Sequence, residues 1–252
     1  AVLVDPKTPL LKPVGVAAEA AGALVAVNGD YHTFSGVGGA SPYSTLIDRG
    51  HAHSLGSPFG YAAQFWLDGK GAPHAGRMGV GARVVRSDGA SLDVTYNISL
   101  GQAVVIDRHL PVWTSDERVG LPLAKTEGSS DYVVLGPLKQ SFTGPALLVS
   151  PGTAAHTFAL ETPPESVLRF ERTGDHASAQ LAIGTGPQLI SGGVIPEGAL
   201  DYPDRMGWAN RFPRTAVGFD GDAVVLVTTL QAPRCGLSML ELARVMQALG
   251  CQ

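Results

Sequence analysis

Four short stretches carry residues whose types and spacing suit chemistry. "VNGDY" at 27–31 sets Asn28, Gly29 and Asp30 at the end of an apolar run. An amide and a carboxylate there can orient a polar ligand, although an Asx-rich turn has the same composition. "GTGP" at 184–187 carries Gly184 and Gly186, which either let a backbone approach an oxyanion or simply bend the chain. "RFPRTAVGF" at 211–219 places Arg211 and Arg214 around Pro213, which holds the segment extended ahead of a strand. Guanidinium groups fixed in this way suit bidentate binding of a carboxylate or phosphate, or a structural ion pair. "HAH" at 51–53 can put two imidazoles on one side of a strand, a spacing that ligates zinc. No neighbouring Cys or Glu pattern completes such a site, so an exposed or hydrogen-bonded histidine pair is the ordinary reading. The chain has no G-x-S-x-G elbow, no G-x-x-x-x-G-K phosphate loop and no dinucleotide fingerprint.

These residues need elements to position them. "AAEAAGA" at 17–23 has helix-forming composition and leads into "LVAV", which reads as a short buried strand ending at Asn28. A Gly- and Ser-rich loop follows, then "STLIDRGHAHS", which alternates like one strand. From 60 to 110, four strand-like runs separated by "DGK" and "SDGA" turns predict a meander or small barrel. "AQLAIGTGPQLISGGVI" reads as strand, glycine turn at Gly184–Gly186, and strand. A loop with Tyr202, Trp208 and Asn210 precedes a hairpin turning at Asp220, Gly221 and Asp222. The last helix is marked by a capping box, Ser238 and Glu241, by one apolar face of Met239, Leu242, Met246 and Leu249, and by Gly250 as its stop. Together these predict an α+β fold, with mixed, mostly antiparallel sheets and a few helices, in a single domain over 1–252.

Composition narrows the function classes. The chain has 252 residues, 44% hydrophobic and 16% charged, with 32 Gly and 18 Pro, a balance that favours short strands and tight turns. A net charge of −4 without any Lys/Arg cluster argues against a nucleic-acid surface or an anionic membrane as partner. No apolar run reaches the roughly 18–20 residues of a membrane span. The sequence opens "AVLVDPKTPL", without an initiator Met or a leader, which reads as a processed or trimmed form and makes secretion or the cell envelope the expected location. Cys235 and Cys251 flank the last helix, as either a disulfide or two thiols.

Taken in order, "AVNGDY", "AIGTGPQLISGGVI", "RFPRTAVGF" and "GLSMLELARVMQALGC" resemble the phosphodiester glycosidase domain family over roughly residues 20–252. "TYN" at 95–97, with Asn97, is similar to an Asn-containing strand end in bacterial members. Departures are Tyr31, His32 and Thr33 at the family's aromatic pair and Phe212 at the Asn of N-P-R-T-A, with Asn210 two residues earlier. The family's later D-G-G-G-S segment is absent from this sequence. The resemblance implies hydrolysis of a sugar-1-phosphodiester to a free sugar and a phosphomonoester, with Asp30 and Arg214 as catalytic candidates. Asn28, Gly29, Asn97, Gly184, Gly186, Asn210 and Thr215 are the implied substrate contacts. No cofactor is expected, a divalent cation stays open, and the expected ligand is a carbohydrate or sugar phosphate. Two alternatives stand beside this reading: a non-catalytic module binding a sugar phosphate or anionic glycan, and one chain of a processed enzyme whose cleaved C-terminal chain is the partner.

Overall fold

The computed structural model describes residues 14–29, 32–35, 39–42, 44–56, 62–79, 81–98, 103–107, 118–140, 144–197, 209–221, 223–229 and 236–252. Short β-branched and apolar runs punctuated by glycine turns make the described residues mostly β, with three short α-helices and one 3-10 turn at Gly174–Ala177. Helix α1 (Val14–Ala20) is followed by the hairpin β1 (His32–Ser35) and β2 (Gly39–Pro42). Next come β3 (Leu46–Asp48), β4 (His51–Ser54), β5 (Ala62–Leu67) and β6 (Pro73–Gly76). Three strands, β7 (Ala82–Arg86), β8 (Ser91–Tyr96) and β9 (Ala103–Ile106), lead to β10 (Val119–Lys125), β11 (Tyr132–Val134) and β12 (Ala146–Val149). Helix α2 (Ala154–Leu160) and β13 (Val167–Arg172) precede β14 (Leu181–Pro187). The hairpin β15 (Thr215–Asp220) and β16 (Ala223–Thr228) and helix α3 (Met239–Ala248) complete the order.

A barrel closes in the order β10-β11-β13-β7-β8-β9-β12. Its pairs are antiparallel except β8 with β9, so the region 60–110 is not a simple meander. Val84, Val94, Val105, Leu121, Leu147 and Leu168 alternate inward and are almost wholly buried. Helix α2, capped by Thr153, adds Ala155, Phe158 and Ala159 to the same core. Beside the barrel lies a 5-stranded sheet, β4-β3-β14-β5-β6, whose Ile47 and Ala182 join that core.

A second, smaller core joins β15, β16 and α3. Met246 and Cys251 pack with Ile190, Ala216, Val225 and Val227. Gly218 suits this contact, because a Cβ there would lie 2.7 Å from Met246 Cε and 3.1 Å from Cys251 Sγ and would have to displace both side chains. The capping box forms as expected, and α3 ends in a Schellman turn: Gly250 N–H donates to the Gln247 carbonyl and Cys251 N–H to the Met246 carbonyl.

Several local expectations are corrected. Residues 24–27 form no strand, and Leu24 and Val25 are exposed rather than buried. An apolar run becomes a strand only where it pairs with another, and residues 24–27 make no ladder with any described strand. "STLIDRGHAHS" folds as two strands, because Arg49 and Gly50, at φ 49 and 75, make a tight turn between β3 and β4. Leu249 lies beyond α3 and is exposed. Cys251 is a free, buried thiol, and Cys235 lies outside the described residues.

Candidate functional site

The motif residues are brought together from distant parts of the chain. Thr215, first in β15, donates its hydroxyl to Asn28 Oδ1 at 2.6 Å, joining "VNGDY" to "RTA" across 187 positions. Gly29 sits over β14: a Cβ there would be 2.3 Å from Ile183 Cδ1, so a larger residue would have to displace the end of that side chain. Ile183 immediately precedes Gly184, which places the third motif alongside the first two. Asp30 and Tyr31 lie outside the described residues, as do Tyr202 and Trp208.

Gly184 and Gly186 do not form a turn. Both lie within the continuous strand β14, neither has a positive φ, and the ladder to β5 shifts register between Gly184 and Pro187. The turn comes later, at Gly192 and Gly193 with φ 57 and 78, and the stretch after β14 forms no strand. Such a bulge re-aims backbone groups at a strand end. Gly184 N–H donates to the Thr45 carbonyl at 2.9 Å, and Thr185 Oγ1 donates to the Ala63 carbonyl at 3.0 Å, fixing the bulge on both sides. Opposite Gly184 in β5 stands Gln64, fully buried, with both amide atoms lacking a hydrogen-bond partner. An unpartnered buried amide is uncommon enough to mark a place for attention. A single polar residue in an apolar run offered no sign of this in the sequence.

The two arginines around Pro213 act first on the protein itself. Arg214 Nε donates to the Leu237 carbonyl at 2.6 Å and Nη2 to the Asn210 carbonyl at 2.9 Å, with its guanidinium 5.6 Å from the Phe212 ring centre. Its backbone N–H is held by Thr229 Oγ1 at 2.7 Å. Arg211 Nε donates to the Gly236 carbonyl and lies 3.3 Å from Glu241 Oε2. The Ser238 backbone N–H and Arg211 together hold the Glu241 carboxyl below the usual range. Phe212 and Leu237 exchange both backbone hydrogen bonds. The segment 210–214 is thus clasped to the start of α3, which fixes where β15 begins and so where Thr215 points. Asn210 enters this arrangement through its carbonyl.

Asn97 belongs to a different place. At φ 52 it turns the chain after β8, donates its amide to the His53 carbonyl at 3.0 Å and accepts from Asp107 N–H at 2.8 Å. It joins β4, β8 and β9 and makes none of the contacts that gather Asn28, Gly29 and Thr215. Among the described residues no three His, Cys, Asp or Glu side chains cluster as metal ligands.

A barrel with a flanking sheet, and three glycine- and asparagine-bearing motifs meeting where β14 and β15 lie, define a β-rich protein of a recognisable kind. Residues 125–252 match the phosphodiester glycosidase family, and the chain belongs to that family. Among solved structures, a hypothetical protein from Synechocystis superposes with a TM-score of 0.67 at 17% identity, over 99% of this chain and 48% of that one. A protein from Burkholderia pseudomallei K96243, described as a "putative exported protein", gives a TM-score of 0.64 at 18% identity, over 94% of this chain and 60% of that one. The chain therefore spans about half the length of its Synechocystis neighbour, and both likenesses bear on the fold alone. No curated protein matches the sequence.

Proposed function

We propose that this chain contributes the substrate site of a hydrolase that cleaves the glycosidic bond of a sugar-1-phosphodiester. The observation that carries the reading is the hydrogen bond from Thr215 to Asn28, with Gly29 seated beside Ile183 and Gly184, because it gathers three family motifs at one point. In this reading water adds to the anomeric carbon as the bond from that carbon to the phosphate oxygen breaks. The products are the free sugar and a phosphomonoester. A phosphate leaving group needs less protonation than an alcohol, so the main demand on the site is stabilisation of negative charge on the departing oxygens. Thr215, by fixing Asn28, and the backbone at Gly186 serve that side. Asn28 holds hydroxyls or phosphate oxygens, and Asp30, next to Gly29 in sequence, activates the water.

Arg214 has two guanidinium N–H groups committed to main-chain carbonyls, and this favours a second reading, a module that holds a sugar phosphate without cleaving it. Location outside the cytoplasm fits either reading. The description of the Burkholderia neighbour supports it, and no described helix is long and apolar enough to cross a membrane.

The test is incubation with a sugar-1-phosphodiester in heavy-oxygen water, followed by phosphorus NMR and mass analysis. The proposal expects phosphomonoester to appear and the heavy oxygen to enter the sugar. Label in the phosphate means cleavage on the phosphorus side and overturns the glycosidase reading. Saturable binding without products moves the assignment to the binding module.

A further inference from the structure

At one end of the barrel the ends of β8, β10, β11 and β13 meet the turn between β3 and β4 around a half-open cleft of about 220 Å3. It shares no residue with the Asn28–Thr215 cluster. Aromatic rings form its wall: Tyr96 and Tyr132 both pack on Phe170, with ring centres 5.0 and 6.2 Å away. Burial and the nearby Asp107 carboxylate push the Tyr96 phenol up, and burial with Tyr96 beside it does the same for Tyr132, so both rings stay neutral. Lys125, Arg172 and His51 face the same space.

Charge is unevenly answered in this cleft. Lys125 donates to Asp107 Oδ2 at 2.5 Å, and that carboxylate is further fixed by the Tyr96 hydroxyl at 2.8 Å. Among the described residues Arg172 has no acidic partner. Its Nη1 and Nη2 donate to the Ala179 and Ala177 carbonyls at 3.3 and 3.1 Å, leaving three of its N–H donors unused. Glu171, next in sequence, is taken by Arg83 and Arg169. A partly desolvated guanidinium without a counter-charge, at the edge of a cavity, favours an anion that supplies one. With Asp107 offsetting Lys125, the fixed charge left over is one positive unit, which matches a monoanion better than a dianion.

We propose that this cleft binds a carboxylated sugar unit of uronic-acid type, as found in anionic glycans. The carboxylate meets Arg172 and Lys125, and the carbon face of the ring lies on Phe170, which the buried Tyr96 and Tyr132 back. The volume falls below the roughly 300–1,000 Å3 of sites for drug-sized ligands, so the occupant is about one sugar ring. The histidine pair gains a use here: His51, stacked edge-on to His53 at 4.9 Å, closes the rim.

Titration calorimetry with glucuronate, methyl glucoside and inorganic phosphate tests the proposal. Saturable glucuronate binding is expected, with phosphate weaker and methyl glucoside silent. Loss of a charge-assisted contact predicts that Arg172→Gln weakens glucuronate by roughly tenfold or more. Since Arg172 also braces Ala177 and Ala179, a second variant guards against misfolding: Ser130→Asp, on an exposed turn at the rim, sets a negative charge in the cleft and should abolish binding. Absence of glucuronate binding, tighter binding of phosphate or of the neutral glycoside, or a folded Ser130→Asp protein that binds as before would each overturn the assignment.

Discussion

Gly236→Ala tests the clasp that sets the start of β15. Gly236 has φ +122, a conformation L side chains rarely adopt, and a Cβ there would lie 2.4 Å from the Phe212 carbonyl oxygen and 2.5 Å from its carbon. The obstacle is main chain, held in place by the two-way hydrogen bonding of Phe212 with Leu237, so no side chain can swing aside. Overpacking of this kind costs about 1–3 kcal/mol and a positive φ about 1–2 kcal/mol more, for a total of about 3 kcal/mol. Gly89→Ala supplies the control: its φ is +88 and nothing lies within 4 Å of the added carbon, so only the conformational part is lost. In urea unfolding, Gly236→Ala should therefore lose about 2 kcal/mol more than Gly89→Ala. Its Tm should fall by roughly 6–12 °C. Equal losses in the two variants would refute the close approach of Gly236 to Phe212, and with it the clasp.

Three further outcomes follow from single residues. Gln64→Met keeps the volume and removes an unpartnered buried amide, so stability should rise by about 1 kcal/mol, while a loss of about 2 kcal/mol would mean the amide has a partner in solution. His176 is buried against Thr45, and burial pushes its pKa down to about 4. The unfolded chain, with its imidazole near about 6.5, takes up the proton first as pH falls. The stability is thus full above pH 6.5 and lost progressively down to about pH 4, by about 3 kcal/mol, and His176→Gln should flatten that part of the pH profile. An unchanged profile in the variant assigns the effect elsewhere. Arg214→Lys keeps the charge but cannot reach both the Asn210 and Leu237 carbonyls, so it should cost about 1–3 kcal/mol of stability. Unaltered unfolding would mean that the clasp does not depend on the planar fork.

The sequence carried the features governed by local chemistry. The capping box of α3, its glycine stop and the β15–β16 turn at Gly221 each depend on a few neighbouring residues with distinctive side chains. Pairing partners were harder to read. "LVAV" has a strand's composition, but nothing local reveals that it pairs with no described strand. Arg49 stands where hairpin turns usually carry Asn or Asp, so the break between β3 and β4 was hidden. Closure of the barrel rests on the parallel contact of Thr95 and Tyr96 with Val104 and Val105, which no local pattern encodes.

The meeting of the motifs was legible in their order along the chain: Asn28, Gly29 and Thr215 lie together, beside Ile183 next to Gly184. Their detailed roles were not. Arg211 and Arg214 read as anion ligands or ion-pair partners; Arg211 does pair with Glu241, while both guanidinium groups also hold carbonyl groups at the start of α3, which carry no sequence signature. Asn97 has the residue type of a ligand contact, yet its amide holds His53 and Asp107 in place.

The most direct test of the central claim is a double-mutant cycle on Asn28→Ala and Thr215→Val, reading kcat/KM for a sugar-1-phosphodiester. The two side chains share one 2.6 Å hydrogen bond, so each single variant should lose most of the activity that the double variant loses. Losses that simply add, or single variants with wild-type activity, would contradict a site built where these motifs meet.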